Sequence, residues 1–401
     1  MARFDKYVYV VLLLGQIAMG QALGDRSTES RESVTAATWS ELLSGYAEER
    51  SEFQRRTQAA NSAVDRQQVL EDMRIRQAAY SQRALQIGAE AESSDAAFEI
   101  WTWIVANDFV ESEAAIDALT RLAAQHLDNE KLVNTCQRLV SWGVSPAAET
   151  FFREAMSSEN RAVAGHARFC WAMALRQKPE RIAEAETMLA EVANSFSDVP
   201  GYRGTLSETA AAQLFELQHL AVGKIAPEIV GVDLNGGEMR LSDYRGSVVM
   251  IHFWGSWCSR CVETISGERA LAEGLKDQPF VMLGVNNDEQ VEMALRFADE
   301  HKMDWSSWFD GAATTGAIAT KWNIIDWPTS YVLDHQGVIR AKFLGAITPE
   351  VETLVRHLTA SVPQSDNTRY VWKILLGGGI GCIAVGLVLH WRNRIPEAVR
   401  L

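Results

Sequence analysis

The sequence predicts a multi-domain chain: an N-terminal all-α helical domain, a C-terminal α/β domain and a C-terminal transmembrane helix. Three observations carry this. Apolar residues recur with helical spacing from Trp39 to about Leu220. Strand-like runs alternate with helical ones from Ile229 to Leu358. An uncharged run follows from Ile374 to Leu389. The 401 residues allow two soluble domains. An apolar content of 47% against 22% charged residues is ordinary for a globular chain and excludes wholesale disorder. The net charge of -14 argues against nucleic acid as a partner, because phosphate attraction needs a basic field.

Residues 1–24 have the make-up of a secretory signal peptide. Arg3 and Lys6 precede an apolar stretch from Tyr7 to Met19, and small residues stand at Gly20, Ala22 and Gly24. An uncleaved signal anchor is the alternative, and both place the following domains outside the cytoplasmic membrane. The helical domain is assigned to 25–222. After a polar lead to Ala37, Trp39, Leu42, Leu43, Tyr46 and Phe53 fall on one helical face. A second helix is expected over Ala63–Ile87. Others are expected near 95–107, 113–126, 130–142, 147–156, 160–176, 180–196 and 206–220, with breakers at Asp128-Asn129, Gly143 to Pro146 and Asp198 to Gly201. The stretch Ala167–Pro200 resembles one tetratricopeptide-type repeat, and an irregular helical domain is the broader expectation.

The second domain is assigned to 223–362. A hairpin is expected from Ile229 to Leu241 around Asn235-Gly236-Gly237. Val248 to Trp254 reads as a buried strand and Phe280 to Val285 as another, followed by a helix from Glu289 to His301. Strands Thr329–Leu333 and Val338–Phe343 flank the turn Asp334 to Gly337, and a last helix runs from Pro349 to about Leu358. The membrane helix is assigned to 370–391. Tyr370, Trp372 and Trp391 flank the apolar run at interfacial depth, and Lys373 can extend toward the headgroups. Arg392, Arg394 and Arg400 then place the tail 392–401 in the cytoplasm.

The chemistry lies in His252-Phe253-Trp254-Gly255-Ser256-Trp257-Cys258-Ser259-Arg260-Cys261, where a buried strand passes into a helix. The free N–H groups and dipole of a helix N-terminus favour an anion, so a Cys258 thiolate is stabilised there. Cys261, one turn on, can resolve a mixed disulfide. A zinc site would need a second ligand pair, and none follows. A structural disulfide without exchange is the other alternative. Cys136 and Cys170 read as core thiols that could pair only if their Cα atoms approach to about 7 Å. Cys382 lies in the membrane run, as does Gly377-x-x-x-Gly381, a possible helix–helix face.

Gly223-Lys224-x-Ala226-Pro227, Leu241 to Gly246, Phe253-Trp254-x-x-Trp257-Cys258-x-x-Cys261 and Trp327-Pro328-Thr329 together resemble the TlpA/ResA branch of the thioredoxin superfamily. The match spans about 225–360. The helical stretch leading into Leu217–Lys224 is also similar to N-terminal extensions of redoxin-domain proteins from planctomycete bacteria. The resemblance implies a thioredoxin-like fold, Cys258 as the attacking and Cys261 as the resolving cysteine, and Pro328 as the cis-proline beside the dithiol. Trp257 matches the aromatic before the dithiol, where packing is its alternative role.

Three departures bear on redox poise. Arg260 stands where many relatives have proline. Thr264 stands where they have glutamate, with Glu263 next to it. His252 stands where thioredoxins carry a buried acid, and it reads as a hydrogen-bonded strand residue with a proton shuttle as the alternative.

The function expected is a membrane-tethered, extracytoplasmic thiol-disulfide oxidoreductase acting on protein thiols and disulfides, without a cofactor or metal. A single span without a dithiol cannot pass electrons, so a reductase would need a separate membrane thiol donor. The alternatives are a thiol peroxidase of peroxiredoxin type and a non-catalytic docking protein built on the helical domain. The peroxidase pattern wants Pro and Thr or Ser seven and three residues before its cysteine, where Ile251 and Gly255 stand.

Overall fold

The computed structural model describes residues 35–363 apart from 92–93 and 203. The expected signal peptide and the expected membrane helix, with Cys382, lie outside the described residues. Among the described residues no helix is long and apolar enough to cross a membrane. The chain forms two compact units that part between Ala211 and Ala212.

The first unit is all helical, as expected. Its helices are α1 (35–59), α2 (Ala63–Glu90), α3 (Asp95–Asn107), α4 (Glu113–Gln125), α5 (Leu132–Leu139), α6 (Pro146–Ala155), α7 (Arg161–Leu175) and α8 (Ile182–Ser195). The helix α9 (Leu206–Phe215) straddles the boundary and ends in a π-helical turn, Glu216–Leu220. Ser62, Ser94, Ser112, Ser145 and Asn160 accept hydrogen bonds from the first free N–H groups of their helices, which fixes where those helices start. Helices pack on sequence neighbours and next-nearest ones, α3 on α2 and α4, and α7 on α5, α6 and α8. The core is largely aliphatic, with Trp101, Phe151 and Phe152 its largest fully buried side chains. Gly88 admits the Trp101 indole, since a Cβ there would lie 2.3 Å from it. Cys136 on α5 and Cys170 on α7 are buried free thiols. Burial pushes Cys136 up to about 12 and Cys170 well above the usual thiol range, so both stay protonated and unreactive.

The second unit meets the α/β expectation. A two-stranded antiparallel hairpin, β1 (Val230–Val232) and β2 (Glu238–Arg240), precedes the main sheet. The chain continues through β3 (Val248–Trp254), α10 (Ser259–Gly274), β4 (Phe280–Asn286), α11 (Val291–Glu300), β5 (Ser307–Phe309), α12 (Ala317–Lys321), β6 (Thr329–Leu333), β7 (Ile339–Leu344) and α13 (Pro349–Ala360). The sheet order is β5-β4-β3-β6-β7. The β3–β4 and β4–β5 pairs are parallel, and β3–β6 and β6–β7 are antiparallel.

The strand β5 and helix α12 were not expected. At three and five residues neither is long enough to show a period. They are set by tertiary contacts, chiefly the buried Trp308 and the Asp310 carboxylate that accepts from the N–H groups of Ile318 and Ala319.

Every residue of β3 is buried, because helices cover the sheet on both faces. Val249, Ile251 and Phe253 enter one apolar cluster, and Val248 and Met250 the other. The pairing of Phe253 with Thr329 brings the start of β6 to the end of β3. The parallel strand β4 ends there too, with Trp254 opposite Asn286. Three chain segments thus converge where β3 passes into α10.

Candidate active site

Cys258 is the N-cap of α10, in extended backbone conformation, and its Sγ accepts from the Cys261 N–H at 3.1 Å. The two cysteines are joined as a disulfide, with Cα atoms 5.2 Å apart. They are not equivalent. Cys258 keeps 7% of its surface exposed and Cys261 none. An incoming sulfur therefore meets Cys258 first, and the N–H at the helix start is already directed at that sulfur.

The turn leading to Cys258 is closed by the Cys258 N–H donating to the Gly255 carbonyl at 3.1 Å. Trp257 folds back over Gly255, where a Cβ would lie 2.4 Å from the indole nitrogen. That nitrogen donates to the Asn287 carbonyl at 3.3 Å. The exposed Trp257 ring lies 5.6 Å from the ring of Trp327, which precedes Pro328 through a cis peptide bond. The Pro328 carbonyl accepts from Gly345 N–H at 3.0 Å. Cys258, Trp257 and Pro328 are thus brought together at one end of the sheet, with Ile325 and Leu344 exposed nearby.

Arg260 is exposed on the first turn of α10, and its guanidinium lies toward Gly345. Glu263 is exposed, on the side of α10 turned from the sheet. The inner face of α10 instead carries Cys261, Thr264, Ile265, Glu268 and Leu271. The Thr264 hydroxyl donates to the Cys261 carbonyl at 2.9 Å.

His252 is fully buried on β3, with Nδ1 3.0 Å from Ser330 Oγ and 3.2 Å from Glu268 Oε1. It is the hydrogen-bonded strand residue the sequence favoured. The His252–Glu268 contact has the spacing of an ion pair, but burial works against both charges. It pushes the imidazole down to about 3 and the carboxyl up to about 7. The contact is a hydrogen bond between neutral groups at mildly acidic pH.

Glu268 was missed by sequence reasoning, although its helical phase with Cys261, seven residues earlier, was a readable signal. Asn286, Asn287 and Asp288 were missed as well. All three are fully buried at the end of β4 beside the dithiol turn. A cavity of about 1230 Å³, lined in part by Arg245, Arg269, Met282 and Trp305, includes neither the dithiol nor Pro328.

A family model described as the AhpC/TSA family matches residues 222–342. The thiol-disulfide oxidoreductase ResA of Geobacillus kaustophilus (strain HTA426) is 32% identical over 144 residues, covering 36% of this chain and 80% of that protein. The thioredoxin-like protein YneN of Bacillus subtilis (strain 168) is 28% identical over 151 residues, covering 37% and 85%. Among solved structures, the thioredoxin domain of a thiol-disulfide oxidoreductase from Bacteroides vulgatus is 26% identical, covering 35% of this chain and 98% of that one, with a TM-score of 0.32.

The buried pair gives a test by pH. Between the ordinary values of 4.5 for Glu268 and 6.5 for His252, the unfolded chain carries one proton on the pair, on the imidazole. The folded chain also carries one, on the carboxyl, so the pair contributes no pH slope to stability there. Glu268→Gln leaves only the depressed histidine, and stability should then rise with pH across that window relative to wild type. His252→Asn leaves only the raised carboxyl, and stability should fall. Each relative slope is at most about 1.4 kcal/mol per pH unit. Urea unfolding at about pH 5 and pH 6 measures both, and equal slopes in the two variants would contradict the assignment.

Proposed function

Because the chain belongs to the thiol-disulfide oxidoreductases that include ResA, we propose that its Cys258–Cys261 pair exchanges with cysteines of client proteins at the extracytoplasmic face of the cell membrane. The single observation that carries the exchange chemistry is the placing of Cys258 as N-cap of α10, under the Cys261 N–H, with Cys261 buried behind it. In the reducing direction the Cys258 thiolate attacks a client disulfide. One client sulfur leaves as thiolate and a Cys258–client mixed disulfide forms. Cys261, as thiolate, then attacks the Cys258 sulfur. The Cys258–Cys261 bond closes, the second client thiolate departs and takes up a proton, and the client has gained two electrons. Oxidation of a client dithiol is the same sequence reversed.

Arg260 adds a positive charge to a helix end that already favours an anion. It favours the thiolate and with it the reduced pair. Peroxidase chemistry is the weaker reading, because Ile251 is buried in β3 and Gly255 has no hydroxyl to offer a peroxide.

The tether rests on the uninterrupted run 374–389 and the arginines behind it. A reductase placed there would draw electrons from a separate membrane thiol donor.

The exchange reading predicts that Cys261→Ser accumulates client proteins on Cys258, released by a reductant, whereas Cys258→Ser does not. Non-reducing pull-down measures this, and adducts only in the Cys258→Ser protein would reverse the roles. The tether predicts that an impermeant maleimide labels reduced Cys258 in cells whose inner membrane is intact. Labelling only after that membrane is lysed would contradict the orientation.

A further inference from the structure

The end of β4 carries a buried polar network that the exchange chemistry does not use directly. Asp288 Oδ1 accepts from the Ser256 N–H at 2.9 Å and from the Ser256 hydroxyl at 2.8 Å. Its Oδ2 accepts from Asn286 Nδ2 at 2.8 Å, and its own N–H donates to Asn286 Oδ1 at 3.1 Å. The Asn287 N–H donates to the Trp254 carbonyl at 2.9 Å, and its Nδ2 to Asp310 Oδ2 at 3.1 Å. The Asp310 N–H donates to the Asn286 carbonyl at 2.8 Å. The Asp310 carboxylate also accepts from Ile318 and Ala319 at the start of α12. From α12 the chain runs through the buried Trp322 and Ile324 to Trp327 and Pro328.

Burying polar side chains is costly unless they are bonded, and of the buried side-chain atoms of this network only Asn287 Oδ1 has no partner among the described residues. Two segments hang from the network. One is the turn Gly255–Cys258, held by Asp288 and by the Trp257–Asn287 bond. The other is α12 and the 325–328 loop, held through Asp310. Their aromatic side chains meet, with the Trp257 and Trp327 rings 5.6 Å apart and Trp257 next to Cys258 in the chain.

We propose that Asp288 is a positioning residue for thiol-disulfide exchange, fixing through Ser256 the turn that presents Cys258 and Trp257 opposite the Pro328 loop. It touches no reacting atom and acts through Ser256. An asparagine cannot replace it. The carboxylate offers acceptors on both sides, whereas an amide would turn a donor toward either Ser256 or Asn286, both of which already donate. Rotating the Asn286 amide to compensate would remove the acceptor of the Asp288 N–H.

The test uses full-length protein, insulin as the disulfide substrate, and 5-fluorotryptophan labelling with the Trp257 signal assigned by Trp257→Phe. Asp288→Asn should slow insulin reduction by about tenfold or more per folded molecule and shift the Trp257 fluorine resonance. Ser256→Ala keeps the backbone bond, so it should slow the reaction about two- to threefold with an unchanged melting temperature. A double variant no slower than Asp288→Asn would show that the two residues act in one path. A purely structural role would lower the melting temperature while leaving the folded enzyme's rate and the Trp257 resonance as in wild type, and that result overturns the proposal. Should Asp288→Asn fail to fold, Ser256→Ala decides: wild-type rate and resonance overturn the proposal, and a slowed rate with a shifted resonance supports it. A wild-type protein unable to reduce insulin would instead count against the exchange activity itself.

Discussion

The second domain is organised around one junction, the point where the central strand β3 stops and α10 starts with Cys258 as its cap. A strand buried on both faces cannot move without disturbing two apolar clusters, so its end is a fixed point. A helix beginning at that point presents N–H groups that have no partner within the helix. Placing sulfur at the cap satisfies the Cys261 N–H and, in the reduced protein, favours the thiolate. The burial difference between the two cysteines follows from the same geometry, since the cap residue lies outside the first turn while its i+3 neighbour turns inward.

Several polar side chains are buried around that junction. His252 Nδ1 lies against Ser330 and Glu268, while His252 Nε2 and Glu268 Oε2 have no hydrogen-bond partner among the described residues. Neutral forms lessen the cost of such burial, which is why the imidazole is pushed down and the carboxyl up. On the other side of the junction, the Asp288 carboxylate is matched bond for bond by Ser256 and Asn286. The first cluster thus holds a carboxyl that can gain or lose a proton near neutral pH.

Much of this was legible in the sequence because it rests on local signals. The buried strand follows from its unbroken apolar run, and the turn into a helix from the Trp-Cys-x-x-Cys motif that ends it. The helical first unit follows from apolar spacing and from breakers such as Asp128-Asn129 and Gly143 to Pro146. What was not legible depends on contacts between distant segments. β5 and α12 are too short for a period and exist because Trp308 and Asp310 are held by residues far away in sequence. Asp288 reads as one more acid in Asn286-Asn287-Asp288-Glu289, and only the parallel register of β3 and β4 places it against Ser256. Glu263 stood nearest in sequence to the expected acid position, yet helical phase turns it outward and brings Glu268 in.

The most direct measurement of the central claim is the alkylation of the reduced, folded protein by limiting iodoacetamide, with each cysteine resolved by peptide mass spectrometry. If the cap position makes Cys258 the nucleophile, it should label at least about tenfold faster than Cys261, and Cys136 and Cys170 should label only on unfolding. Labelling of Cys261 as fast as or faster than Cys258 would contradict the account.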